Sequence, residues 1–264
     1  MRFFASISYN GSGLSGWQIQ DNAPSVQAEV QRALSAALGE KITVVGAGRT
    51  DTGVNASDFT AHFDTGSSLV AGDPAQTIYK INAILPKNIV LHDIVRVRDD
   101  AHARFDADSR TYRYYVHSRK DPFVRDFSWY CKFPLDVEAM NRGAELLLGR
   151  HDFSCFEKTG SAAASPECEV TAAGWSRWTP VVAPMPGDTS GYLVFTITAN
   201  RFLRNMVRAI VGTLIEVGRG RQEPGWVADV MASRDRCRAG QSVPGHALFL
   251  TDVHYPEEIF DYNS

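Results

Sequence analysis

The sequence predicts an α+β protein made of two β-α-β-β-α-β halves with mainly antiparallel sheets. Three observations predict it. Apolar residues switch between period two and helical spacing in the same order in each half. Ser, Asp, Pro and Gly punctuate the helical stretches at their ends. The length of 264 residues and an apolar share of 44% are ample for a buried core.

In the first half, Phe3, Ala5, Ile7 and Tyr9 alternate as a strand. Val26, Val30, Ala33, Leu34, Ala37 and Leu38 follow helical spacing, with Ser25 as N-cap and Gly39 as the stop. Lys41 to Val45 and Phe59 to Phe63 read as strands. Pro74 opens a helix to Leu85, and Ile89 to Val97 closes the half as a strand. In the second half, Arg110 to His117 is a strand. Val137, Met140, Ala144, Leu147 and Leu148 lie on a helix between Asp136 and Gly149. Glu169 to Trp178 and Tyr192 to Ala199 read as paired strands. Leu203, Met206, Val207, Ile210, Val211, Leu214 and Val217 form the longest apolar helical stripe. An extra helix near Pro224 to Ser233 precedes a last strand, Leu248 to Tyr255. The repeated order implies two ferredoxin-like units, a layout also used for binding single-stranded RNA. The boundary is expected near Arg98 to Asp106, giving domains 1–103 and 104–264. Segments 157–168 and 179–190 read as loops, the second through Pro180, Pro184, Pro186 and Gly187.

Charged residues make up 22% of the chain, as in a globular protein. No secretory pattern and no apolar run of roughly 18 residues is present, so a cytoplasmic protein without a membrane span is expected. Cys131, Cys155, Cys168 and Cys237 form no C-x-x-C pair and read as reduced thiols. His151, Cys155 and Cys168 fit no ligand spacing, so no metal is expected. The net charge of −3 does not announce a nucleic-acid binder. Of 27 basic residues, however, 21 are Arg and 6 are Lys, and the Arg residues cluster. Arg suits phosphate and base stacking, although surface Arg also merely solubilises.

The loop Gly46-Ala47-Gly48-Arg49-Thr50-Asp51-Thr52-Gly53-Val54 sets one carboxylate among glycines beside a guanidinium. Asp51 there is either a nucleophile or base kept ionised by a cation, or a polar turn residue. Arg208 sits within the apolar stripe, where a buried charge requires a partner, unless it reaches water from the stripe's edge. Arg204 lies one turn earlier on the same side. Tyr112 and Tyr114 face one side of their strand, either as packing or as a surface for stacking on a base. Phe63-Asp64-Thr65-Gly66-Ser67-Ser68 matches the aspartic-protease signature, and Asp51-Thr52-Gly53 supplies a second D-T-G. That reading is rejected, because the two motifs flank a single strand rather than lying in separate β-rich lobes.

The Asp51 loop resembles the catalytic loop of the tRNA pseudouridine synthase I (TruA) family, and further motifs extend the likeness. They are Ser8-Tyr9-Asn10-Gly11-Ser12 with Gly16-Trp17-Gln18-Ile19-Gln20, His102-Ala103-Arg104-Phe105-Asp106-Ala107 and Arg110-Thr111-Tyr112-Arg113-Tyr114, and Asn200 to Arg208 with Ile210-Val211-Gly212. Asn55 and Asn10 depart from the family, standing where it usually has His and Asp. The resemblance implies the pseudouridine synthase fold and isomerisation of uridines at positions 38 to 40 of the tRNA anticodon stem and loop. It implies Asp51 as nucleophile, Arg208 as its ion-pair partner and Tyr112 as the residue stacking on the base. Arg49 would hold the flipped nucleotide and Leu248 would pack against the base. Arg110 and Arg204, chosen from the Arg clusters, are the first candidates for tRNA contact. The resemblance also implies no cofactor, and a homodimer. The alternative is a non-catalytic RNA-binding protein of the same fold.

Overall fold

The computed structural model describes residues 1–160, 165–181 and 191–260. Pro184, Pro186 and Gly187 of the second expected loop lie outside the described residues. The chain divides into two compact units, Met1–Ser109 with Leu250–Ser264, and Arg110–Phe249. The division falls inside the last strand, after Phe249, so most of that strand groups with the first unit although sequence order attaches it to the second half.

The first unit contains β1 (Arg2–Tyr9), α1 (Val26–Leu38), β2 (Val44–Gly46), β3 (Asn55–Asp64), α2 (Ser68–Gly72), α3 (Pro74–Ile84) and β4 (Ile89–Val97). β1 pairs antiparallel with β3 on one side and β4 on the other, with Ala5 opposite both Ala61 and Ile94. Phe3, Ala5, Ile7 and Tyr9 are buried, as their alternation predicts. Phe4 is buried too, edge-on to Tyr255 at 5.0 Å, so β1 is covered on both faces. α1 has the expected caps: the Ser25 side chain accepts from Ala28 N–H, and Gly39 takes the left-handed φ of 71°. The strand expected over 41–45 is narrower, because helix α1 satisfies its start. Ile42 N–H donates to Ser35 Oγ at 3.0 Å and Val44 N–H to Gln31 Oε1 at 3.0 Å, leaving Val44–Gly46 to pair with β3.

The second unit contains β5 (Ser109–His117, whose first residue closes the first unit), β6 (Trp129–Tyr130), α4 (Val137–Glu145), β7 (Gly149–Asp152), β8 (Glu167–Arg177), β9 (Tyr192–Ala199), α5 (Met206–Gly218) and α6 (Trp226–Ser233). The strand β10 (Leu248–His254) starts in this unit. The sheet runs β5-β9-β8-β7, antiparallel throughout, with β6 parallel to β5. The short elements α2, β6 and β7 carry too few residues for a period to register and were not anticipated. Helix α5 begins at Met206 rather than Leu203, because Asn205 sits at φ 68°. A left-handed residue cannot continue a right-handed helix, so Arg204 precedes the helix instead of sharing its face. Gly143 lets Leu214 and Val227 close on α4; a Cβ there would meet them at 3.1 and 3.2 Å.

Candidate active site

Asp51 and Arg49 belong to the first unit; Arg110, Tyr112, Arg204, Arg208 and Leu248 belong to the second. Each group has its own support.

The Asp51 loop is seated on the segment after β1. Gly16, at φ 89°, passes so close that a Cβ would stand 2.2 Å from Thr50 O. Gly11 is as tight, with a Cβ position 2.3 Å from Val54 O. Trp17 N–H donates to Thr50 O at 3.3 Å and Gly53 N–H to Leu14 O at 3.3 Å. Val54 N–H closes a turn on Asp51 O at 3.1 Å, with Gly53 at φ 74° supplying the conformation the turn requires. The buried Tyr9 and Thr50 hydroxyls lie 2.9 Å apart. Asn55, only 2% exposed, accepts from Gly11 N–H at 2.9 Å, so the amide found where the family has His serves as a buttress. Trp17 stacks on Phe59 with centroids 4.0 Å apart, and Gly46 leaves room for both rings. The loop therefore holds a half-buried Asp51 on rigid backbone, with Arg49 exposed beside it.

In the second unit, Tyr112 is half-buried on β5, its ring edge-on to Phe202 at 5.0 Å. Tyr114 is wholly buried and donates to Pro244 O at 3.0 Å. Burial pushes its phenol far above the usual range, which leaves it a packing residue. Arg110 donates from Nη1 to Asn200 O at 2.7 Å. Arg204 is exposed, and its carbonyl accepts from Lys158 N–H at 2.9 Å. Arg208 is half-buried, and its Nε donates to Val243 O at 2.7 Å. It is thus neither fully buried nor simply extended into water. Leu248, 5% exposed, starts β10.

Among the described residues no cluster of three or more His, Cys, Asp or Glu could hold a metal. Burial pushes the Cys155 thiol up to about 12 and Cys168 up to about 11. Asp64 is held in a fork by Arg2, at 2.8 Å from both Nε and Nη2, which makes it a structural carboxylate at the end of β3. Sequence reasoning did not assign the supports Tyr9, Gly11, Gly16 and Asn55, nor the stretch 239–244 that carries Val243. The paired glycines at 11 and 16, spaced like the glycines of the Asp51 loop, were the available signal.

Residues 144–256 match the family described as tRNA pseudouridine synthase. The tRNA pseudouridine synthase A of Parabacteroides distasonis is 47% identical over 259 residues, covering 98% of both chains. The chain belongs to the tRNA pseudouridine synthase A family. The protein of that name from Porphyromonas gingivalis is 46% identical over 98% of this chain and 99% of its own. The one from Colwellia psychrerythraea is 38% identical over 97% and 95%. Pseudouridine synthases are isomerases, so the family's chemistry is a rearrangement within one nucleotide.

Proposed function

We propose that the protein isomerises uridines at positions 38 to 40 of the anticodon stem and loop of tRNA, in the cytoplasm, as a homodimer. The observation that carries this is the family relation over nearly the whole chain, joined to a carboxylate on a rigid glycine loop. The uracil is released from C1′ at N1, turns, and rejoins through C5; C5 loses a proton and N1 gains one. Asp51 is the nucleophile and Arg208 the cation that keeps it ionised. Tyr112 stacks on the extruded base, Leu248 packs against it, and Arg49 holds the flipped state. Arg110 and Arg204 meet phosphates. A homodimer would let one anticodon arm span both subunits.

Asp51→Asn tests the assignment, because an amide is neither nucleophile nor base at neutral pH. Turnover should fall by at least ~10⁴, roughly 5.5 kcal/mol, while tRNA binding stays within about tenfold. Pseudouridine is read by mass spectrometry after carbodiimide derivatisation of the tRNA. Substantial residual turnover would end the role of Asp51. Asp64→Asn, which removes only the pair with Arg2, should turn over almost normally.

A further inference from the structure

Arg236 is a half-buried guanidinium with no carboxylate pairing to it among the described residues. Its donors go to one short strap of chain. Nη1 reaches Gly240 O at 3.1 Å and Ala239 O at 3.5 Å, and Nη2 reaches Ser242 Oγ at 2.8 Å. A half-buried guanidinium without a carboxylate needs its donors satisfied, and here the strap satisfies them.

The strap, residues 239–244, lies along the N-terminal half of α5. Gly240 N–H donates to Thr213 Oγ1 at 2.9 Å, and Asn205 Nδ2 donates to the same Ser242 hydroxyl at 2.7 Å. A Cβ on Gly212 would stand 1.9 Å from Gln241 O, so helix and strap touch backbone to backbone. The strap then meets Arg208 twice. Val243 N–H donates to Arg208 O at 3.2 Å, and Arg208 Nε donates to Val243 O at 2.7 Å. The Val243 carbonyl therefore anchors Nε of the Arg208 guanidinium, and Arg236 and Asn205 both hold Ser242, the residue just before Val243.

We propose that Arg236, acting through Ser242 and the strap, is a positioning residue for the Arg208 guanidinium. This rests on the reading of Arg208 as the cation of the reacting carboxylate. The planar fork reaches three oxygens at once in a fixed geometry, which the compact ammonium of a lysine does not reproduce. Small displacements of reacting groups cost on the order of 10²-fold in rate.

Steady-state turnover of tRNA by Arg236→Met should show kcat reduced on the order of 10- to 100-fold, with KM and tRNA affinity within about threefold. Arg236→Lys should recover part of the loss. Ser242→Ala, which removes a single hydroxyl, carries the same prediction at about three- to tenfold and serves if Arg236→Met does not fold. The decisive reading is coupling: Arg236→Met placed on Arg208→Lys should lower kcat by no more than about twofold further. A merely structural role would lower the melting temperature and leave kcat intact, or add in full to Arg208→Lys; either result overturns the inference. Wild-type turnover by Arg208→Lys and Arg208→Met would instead overturn the reading of Arg208 itself.

Discussion

Single side chains show how environment selects among equal readings of sequence. His62 is 5% exposed, and its Nδ1 accepts from Ala103 N–H at 3.0 Å, which requires the neutral ring. Burial first, and the Arg2 guanidinium second, hold its pKa down to about 4. An unfolded His titrates near ~6.5. Between those values the unfolded chain binds more protons than the native one, so stability falls as pH drops through that window. His62→Asn, whose Oδ1 can replace Nδ1, should flatten urea-derived stability against pH there by up to ~1.4 kcal/mol per pH unit. An unchanged slope would mean that His62 is not the titrating group. Tyr112 presents the opposite case, half-buried beside Phe202. Tyr112→Phe should keep both the edge contact and base stacking, whereas Tyr112→Ala should lose stacking worth ~1–3 kcal/mol. Equal, complete inactivation by both would make the hydroxyl a proton carrier instead.

Among the elements, the loops carry the tightest constraints. β1, α1, β4 and β9 lie where period and caps put them, because each buries at least one regular face. The start of α5 differs from its apolar spacing, which runs on through Leu203 while the backbone at Asn205 breaks the helix. Asn is among the few residues that take such a φ readily, so the break was locally encoded yet indistinguishable from an exposed helical Asn. The seat of the Asp51 loop is likewise a matter of backbone approach. Gly16→Ala should cost about 2–4 kcal/mol in urea unfolding and slow turnover, since both its φ of 89° and the 2.2 Å approach to Thr50 O exclude a methyl. Gly66→Ala is the control, with nothing within 4 Å of its Cβ position and a change within ~0.5 kcal/mol expected. A neutral Gly16→Ala would show that the loop does not need this seat.

For the molecule as a whole, the sum of charges and their distribution point in different directions. Net charge is −3, yet Arg49, Arg104, Arg113 and Arg204 are exposed. tRNA affinity should therefore fall steeply with salt, each neutralised phosphate adding ~0.7–0.9 to the slope of log K against log salt. A footprint of several phosphates predicts a slope of magnitude about 3 or more by filter binding. Arg204→Ala should lower that slope by about one and weaken all substrate tRNAs alike. A flat response would reassign the Arg clusters to solvated surface. Among the described residues no helix is long and apolar enough to cross a membrane.

Sequence alone determined the two-half α+β order, the main cores and the choice of Asp51, Tyr112 and Arg208 as candidates. Period and capping carry the order and the cores, and a carboxylate among glycines marks Asp51, while the resemblance to the tRNA pseudouridine synthase I (TruA) family is what singles out Tyr112 and Arg208. Only the tertiary structure decided what holds those candidates. Asn55 reaches Gly11, Arg236 reaches Ser242, and Arg208 meets Val243 across 35 positions of chain. It also grouped Leu250 onward with the first unit, through contacts such as Tyr255 with Phe4 and with Ala103 O. Such contacts depend on where distant segments stop and turn. A left-handed Asn, a glycine without room for a methyl, and a carbonyl aimed at a guanidinium leave no periodic trace in the chain.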